Sequence, residues 1–327
     1  MHLKSILLSS FLATSLTSAY HILVTDQNSK TVRAWDRNDA SWNGDNIFWS
    51  WTAEGGPWPW TAAKWLNIDE VKIRKTASLG WVALVTTSAG KVGMIDINTN
   101  RDTNIDNVLW QATLDGNPHS IERIPNVGAI VVASSDSNDL TVYAPEDPND
   151  VNNLGKIKKI GTYEVEFAHG VLWDPTLEVL WALGRNILKK FAVAGEGPDL
   201  TLVEIDSYPL QARENDSYDG NLNGHDLQPS YADDDVLMVT HTRAGFKFHK
   251  STGKWEEVIS LTKLKSLVQA PDGEYIWIRG DKGDMGQRVS FSNSPAYPDF
   301  PPEMASTARG WDDAKFYKAR IYTPDFY

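Results

Sequence analysis

The sequence predicts an all-β protein, a six-bladed β-propeller. Three observations carry that expectation. First, three short histidine motifs recur at nearly one spacing: Pro118-His119-Ser120, Ala168-His169-Gly170 and Gly224-His225-Asp226, their histidines 50 and 56 residues apart. A period near 50 built from short strands is the mark of a propeller blade. Second, each motif is followed by the same succession of apolar runs. Third, helical periodicity is hard to find: short apolar runs are bounded by Gly, Pro, Asn and Asp, the all-β pattern.

The elements follow in order. Blade one holds His21 to Thr25 and Thr31 to Trp35, and blade two Trp81 to Thr86 and Val92 to Ile97. After His119 come Ile121 to Pro125, Ala129 to Ala133 and Leu140 to Tyr143. After His169 come Val171 to Pro175, Val179 to Leu183 and Leu188 to Phe191. After His225 come Leu227 to Pro229, Val236 to Val239 and Gly245 to Phe248. Blade starts are expected at His21–Val24, Val71–Arg74, His119, His169, His225 and Lys265–Val268. Lys315 to Tyr322 reads as a strand, either the outer strand of the last blade or a partner for the N-terminal blade. Seven blades is the alternative if the segment from Trp42 to Trp65 holds extra strands. Its tryptophans, Trp42, Trp49, Trp51, Trp58, Trp60 and Trp65, read first as inter-blade packing and second as a platform for sugar rings.

Residues 1–19 read as a secretory signal: Lys4, an apolar run from Ile6 to Leu16, and Thr17-Ser18-Ala19 before a cleavage point. The run is too short to span a bilayer. Residues 20–327 are then expected to form one propeller domain, secreted and monomeric. The 327-residue chain has no cysteine, so it must rely on its core. A net charge of −12 argues against nucleic acid or an anionic membrane as partner. Asn215-Asp216-Ser217 is a glycosylation sequon.

The His motifs, together with Val171-Leu172-Trp173-Asp174-Pro175, Leu180-Trp181-Ala182-Leu183-Gly184, Leu227-Gln228-Pro229 and Tyr317-Lys318-Ala319-Arg320, resemble a family of secreted bacterial and fungal β-propellers of unknown function (DUF6528). The resemblance covers nearly the whole mature chain and implies the fold. A looser resemblance, of fold and residue type, is to β-propeller polysaccharide lyases, which place histidines and often a divalent metal at the channel mouth.

Residues repeating at blade starts land near the central channel, so His119, His169 and His225 are expected to line one pocket. Eliminative cleavage of a uronic-acid glycoside needs a base, a cation for the carboxylate and a proton donor for the leaving oxygen. The histidines offer base, acid or metal-ligand roles. Lys72, Arg74, Lys265 and Gln228 are the expected substrate-binding groups, with an acidic saccharide as substrate. Three imidazoles could instead hold a divalent metal ion (Mn, Zn or Ca), with Asp226 or Gln228 nearby. Polar filling of a narrow tunnel is the structural alternative. His241 and His249 read as structural, and the Asp/Asn runs at 96–104 and 147–153 as turns. A non-catalytic sugar-binding propeller, lectin or host-interaction protein, is the competing function. Lectin propellers repeat a site in every blade, whereas this motif occurs in three of six. A lactonase-type calcium site would need Glu, Asn and Asp at blade starts.

Overall fold

The computed structural model describes residues 20–54, 65–98, 100–213, 220–281, 283–293 and 307–325. The proposed signal, Trp58, Trp60 and Asn215 lie outside them. The described strands, in chain order, are β1 (His21–Asp26), β2 (Thr31–Asp36), β3 (Ile47–Thr52), β4 (Ile68–Lys75), β5 (Trp81–Thr87) and β6 (Lys91–Asp96). The short β7 (Asp102–Thr103) returns to pair in parallel with β3, and β8 (Val108–Thr113) completes blade two. Blade three is β9 (Pro118–Ile124), β10 (Ala129–Ser134), β11 (Asp139–Pro145) and β12 (Ile157–Glu164). Blade four is β13 (Gly170–Asp174), β14 (Val179–Leu183), β15 (Ile187–Ala194) and β16 (Thr201–Pro209). Blade five is β17 (Gly224–Pro229), β18 (Val236–His241), β19 (Ala244–His249) and β20 (Lys254–Ile259). Blade six is β21 (Leu264–Gln269), β22 (Tyr275–Arg279), β23 (Arg288–Ser292) and β24 (Thr307–Gly310). The last strand, β25 (Phe316–Ile321), pairs with β1 and becomes the innermost strand of blade one.

The propeller therefore has six blades, and among the described residues from Trp42 to Trp65 the one strand, β3, belongs to blade one. The expected blade start at His21–Val24 is corrected. That segment is the second strand of its blade, because β25 takes the place at the channel. This closure ties the two ends of the chain into one sheet.

The apolar runs do not alternate because each blade is covered on both faces. One hydrophobic cluster lies at every blade junction. The junction of blades one and two holds Val32, Trp49, Trp51, Trp65, Val71 and Val85. Blades two and three meet over Leu84, Met94, Ile121 and Val132, and three and four over Val131, Val142, Val171 and Leu180. Blades four and five share Trp181, Leu227 and Phe248, five and six Met238, Leu267 and Trp277, and six and one Trp35, Ile278, Phe291 and Phe316. Trp42, Trp49, Trp51 and Trp65 are all buried, which is the packing role. Gly170 sits at a close approach of blades four and five: a Cβ there would lie 2.7 Å from the Cβ of Leu227.

The innermost strands carry one recurring irregularity. In β4, β9, β17, β21 and β25 the register slips by one residue near the strand's start, leaving Asp69, His119, His225 and Lys265 as the extra, unpaired residue in the first four. A bulge of this kind re-aims side chains. It lets two successive residues face the channel instead of one.

Candidate functional site at the channel mouth

All six innermost strands contribute to the channel in the same register. Aligned on the bulge in five strands and on the histidine before β13 in the other, the sequences read Ile68-Asp69-Glu70-Val71, Pro118-His119-Ser120-Ile121, Ala168-His169-Gly170-Val171, Gly224-His225-Asp226-Leu227, Leu264-Lys265-Ser266-Leu267 and Phe316-Tyr317-Lys318-Ala319. The second position forms a ring at the mouth: Asp69, His119, His169, His225, Lys265 and Tyr317. The third position points deeper.

At the mouth the three imidazoles are in contact. His119 and His169 stack with centroids 4.1 Å apart and planes at 15°. His225 meets His169 edge-on at 5.4 Å. The Nδ1 of His119 lies 3.4 Å from the Tyr317 hydroxyl and 3.5 Å from Oδ2 of Asp69. Nδ1 of His169 is 3.0 Å from the Phe167 carbonyl, and the Phe167 ring packs against the imidazole at 4.1 Å. Lys265 sets its ammonium 5.9 Å from the centre of the Tyr317 ring. His119 and His169 are buried, while His225 stays partly exposed and its Nδ1 is buried without a partner.

The electrostatics follow from that burial. Loss of water, then the neighbouring His169, Lys318 and Lys265, holds His119 well below its ordinary value. Burial pushes His169 down to about 3 against the weaker pull of the Phe167 carbonyl. Burial and then Lys265 hold His225 well below the usual imidazole range. The mouth therefore presents three neutral imidazoles. Burial raises Asp69 to about 8, despite hydrogen bonds from Ser88 and from Gln27 at 2.8 Å. Burial, then Asp69, lifts the Tyr317 phenol well above its ordinary range, so it keeps its proton.

Beneath the mouth lies a packed ion network. Arg320 binds Glu70 (2.8 Å) and Asp226 (2.7 Å). Lys318 binds Asp226 at 3.0 Å. Lys72 lies 3.6 Å from Glu122 and donates to Ser120 (3.2 Å) and to the Val171 carbonyl. Arg74 grips Glu122 through two bonds of 2.7 and 2.6 Å. Burial would raise Asp226 and Glu122. The cations outweigh it, Arg320 and Lys318 for the first and Arg74 and Lys72 for the second, and hold both below their ordinary range.

The structure thus brings His119, His169, His225 and Lys265 together. It places Lys72 and Arg74 elsewhere, committed to buried acids further down the channel, and Gln228 lower too, its amide donating to the Leu227 carbonyl. Asp69, Tyr317, Lys318 and Arg320 are site residues that sequence reasoning missed in these roles. The signal was available in the polar pair followed by an apolar residue, repeated in five blades, with His169-Gly170-Val171 in blade four. It was hidden because β4 begins at Ile68, ahead of the expected Val71, and because β25 joins the ring from the other end of the chain.

The rings do not converge on a point. Stacked imidazoles direct their in-plane lone pairs side by side. Among the described residues no group of three or more His, Asp or Glu side chains is arranged to hold a metal ion. In this arrangement the histidines do not fit a shared metal.

Fold and site together define a six-bladed β-propeller with a histidine-lined mouth above an ion-paired channel. Residues 17–280 match the family of unknown function DUF6528, and the chain belongs to it. Among solved structures the chain is similar to the periplasmic gluconolactonase PpgL of Pseudomonas aeruginosa. That match has 11% identity and a TM-score of 0.56, covering 94% of this chain and 100% of that one. It is similar also to a chain of a nidogen/laminin complex, at 11% identity and TM-score 0.57, with 93% and 98% covered. A functionally unknown protein of Desulfotomaculum acetoxidans matches at 11% identity and TM-score 0.51, with 92% and 79% covered. At such identities the likeness is one of fold. No curated protein matches the chain.

Proposed function

We propose that this protein is a secreted enzyme that cleaves an acidic, uronate-containing saccharide by β-elimination at the histidine mouth. The observation that carries the reading is the placement of His119: a neutral imidazole next to a carboxyl and a phenol, with an ammonium across the Tyr317 ring. With Nδ1–H directed to Asp69, Nε2 keeps the lone pair and takes the proton from the carbon beside the substrate carboxylate. Lys265 faces that carboxylate and stabilises the charge that spreads onto it. The carbon–oxygen bond at the β position breaks, and the departing oxygen takes a proton from Tyr317. His225, the partly exposed imidazole of the three, is the next group to meet a substrate hydroxyl. Export rests on residues 1–19.

A second reading has its own support. His169 is only 3% exposed, so much of the cluster is packed rather than open, which favours a non-catalytic propeller that binds one sugar ligand. The test is a panel of uronate polysaccharides and oligosaccharides, read by the ultraviolet absorbance of unsaturated products. Product formed by the wild type supports the lyase. Sugar binding without product from any uronate overturns it in favour of the binding protein.

A further inference from the structure

The far ends of β4, β9 and β13, with the segment beyond β25, frame a cavity of about 220 Å³. It is lined by Arg74 and Lys75 at the end of β4, Arg123 and Pro125 at the end of β9, Trp173 and Pro175 at the end of β13, and Pro324 and Asp325 beyond β25. Three of these are cations in a chain whose net charge is −12. Arg74 is neutralised by Glu122. Arg123 is different. It is 3% exposed, yet no carboxylate pairs with it among the described residues. Its Nη2 reaches only Asn152 Oδ1 at 3.1 Å and the Val151 carbonyl at 3.4 Å, and its Nε is buried with no partner.

A guanidinium taken out of water and left with an unused N–H is costly to the fold. A buried polar group left without a partner calls for an explanation, and a ligand supplies one. A planar guanidinium edge suits a carboxylate. The walls are apolar and flat, with Trp173 and the proline rings, and such walls favour a ring over a bare inorganic anion. Lys75 is exposed at the edge and adds positive charge for capture, against the exposed Asp325.

We propose that this far mouth is a binding site for a small ring-bearing carboxylate of the sugar-acid class, anchored by Arg123 and stacked on Trp173. The inference does not depend on the elimination chemistry, because the site lies at the opposite end of the channel from the histidines. The probe is galacturonate, measured by calorimetry and by quenching of tryptophan fluorescence, with galactose and inorganic phosphate alongside. Galacturonate should bind, galactose should not, and phosphate should bind more weakly. Arg123→Gln should lose about 10- to 100-fold in affinity, the usual worth of a hydrogen bond to a charged group. Lys75→Ala, at an exposed position, should weaken binding a few-fold and flatten its salt dependence. Galacturonate held at the histidine mouth would be a separate binding event, and the Arg123-dependent event should survive His119→Ala. Equal binding of galactose or phosphate overturns the proposal, as does galacturonate binding that His119→Ala abolishes and Arg123→Gln spares. Should Arg123→Gln fail to fold, Lys75→Ala and Arg123→Lys decide. Full retention of binding in both overturns it, and weakening in both upholds it.

Discussion

Arg320 on the last strand of the chain holds Asp226 of blade five through two bonds, Nη1 to Oδ2 at 3.0 Å and Nη2 to Oδ1 at 2.7 Å, across 94 residues of sequence. The same guanidinium binds Glu70 of blade two at 2.8 Å. One side chain from the closing strand thus cross-links three blades through the channel. Removing it would leave two carboxylates buried without their main partner. Arg320→Met is therefore expected to cost about 3–5 kcal/mol, the usual penalty for breaking a buried pair. Chemical denaturation with the wild type as reference checks this. A loss under about 1 kcal/mol would mean that water or Lys318 replaces the guanidinium.

Acid stability should report the histidine mouth. His169 has its folded-state value depressed from 6.5 to about 3. A depressed value contributes stability that is present above pH 6.5 and is lost as pH falls toward about 3. The wild-type melting temperature should therefore fall across that window, and His169→Gln should fall less steeply. Parallel curves for the two proteins would show that His169 does not carry the acid lability.

Asp69 works in the opposite sense. Its folded value is raised from 3.8 to about 8. The stability linked to its proton is complete below pH 3.8 and is lost as pH rises through about 8. Asp69→Asn, which cannot ionise, should be more stable than the wild type at pH 9 and should differ little near pH 4. Thermal melts at the two pH values decide the matter. An Asn variant that melts lower at pH 9 would show that the ionised carboxylate is well satisfied by Ser88, Gln27 and His119.

On the proposed chemistry, His119→Ala should lower turnover on a uronate substrate by about 10² to 10⁴-fold, the range for loss of a general base. Lys265→Met should raise KM and lower kcat together, since the ammonium meets the carboxylate in the ground state and more strongly as charge spreads onto it in the transition state. Steady-state kinetics with a matched circular-dichroism melt for each variant checks both. Full activity in His119→Ala removes that imidazole as the base.

Much of the mouth was legible before any coordinates. The spacing of His119, His169 and His225 marks equivalent positions because a propeller repeats one strand register in each blade. Lys265 falls in the same register and is legible for the same reason. Asp69 was harder to see, since a bulge adds one residue at the strand start and shifts the apparent alignment toward Lys72. Lys72 and Arg74 read as free cations in the sequence. Their commitment to Glu122 depends on a side chain from a neighbouring blade, 50 residues from Lys72 and 48 from Arg74.

By itself the sequence determined the propeller repeat, with six blades expected and seven left open, the apolar strands between turn residues, and the identity of the three histidines that repeat. Those are local or periodic properties, and short-range patterning records them. Only the tertiary structure decided that Phe316–Ile321 would be the innermost strand of the first blade, which brought Tyr317, Lys318 and Arg320 into the channel. Only ring closure decided which charges are buried in pairs, and which, like Arg123, are buried without a carboxylate. Pairing at a channel axis is set by six strands arriving from positions up to 250 residues apart, as Arg320 and Glu70 are, and no window along the chain contains that geometry.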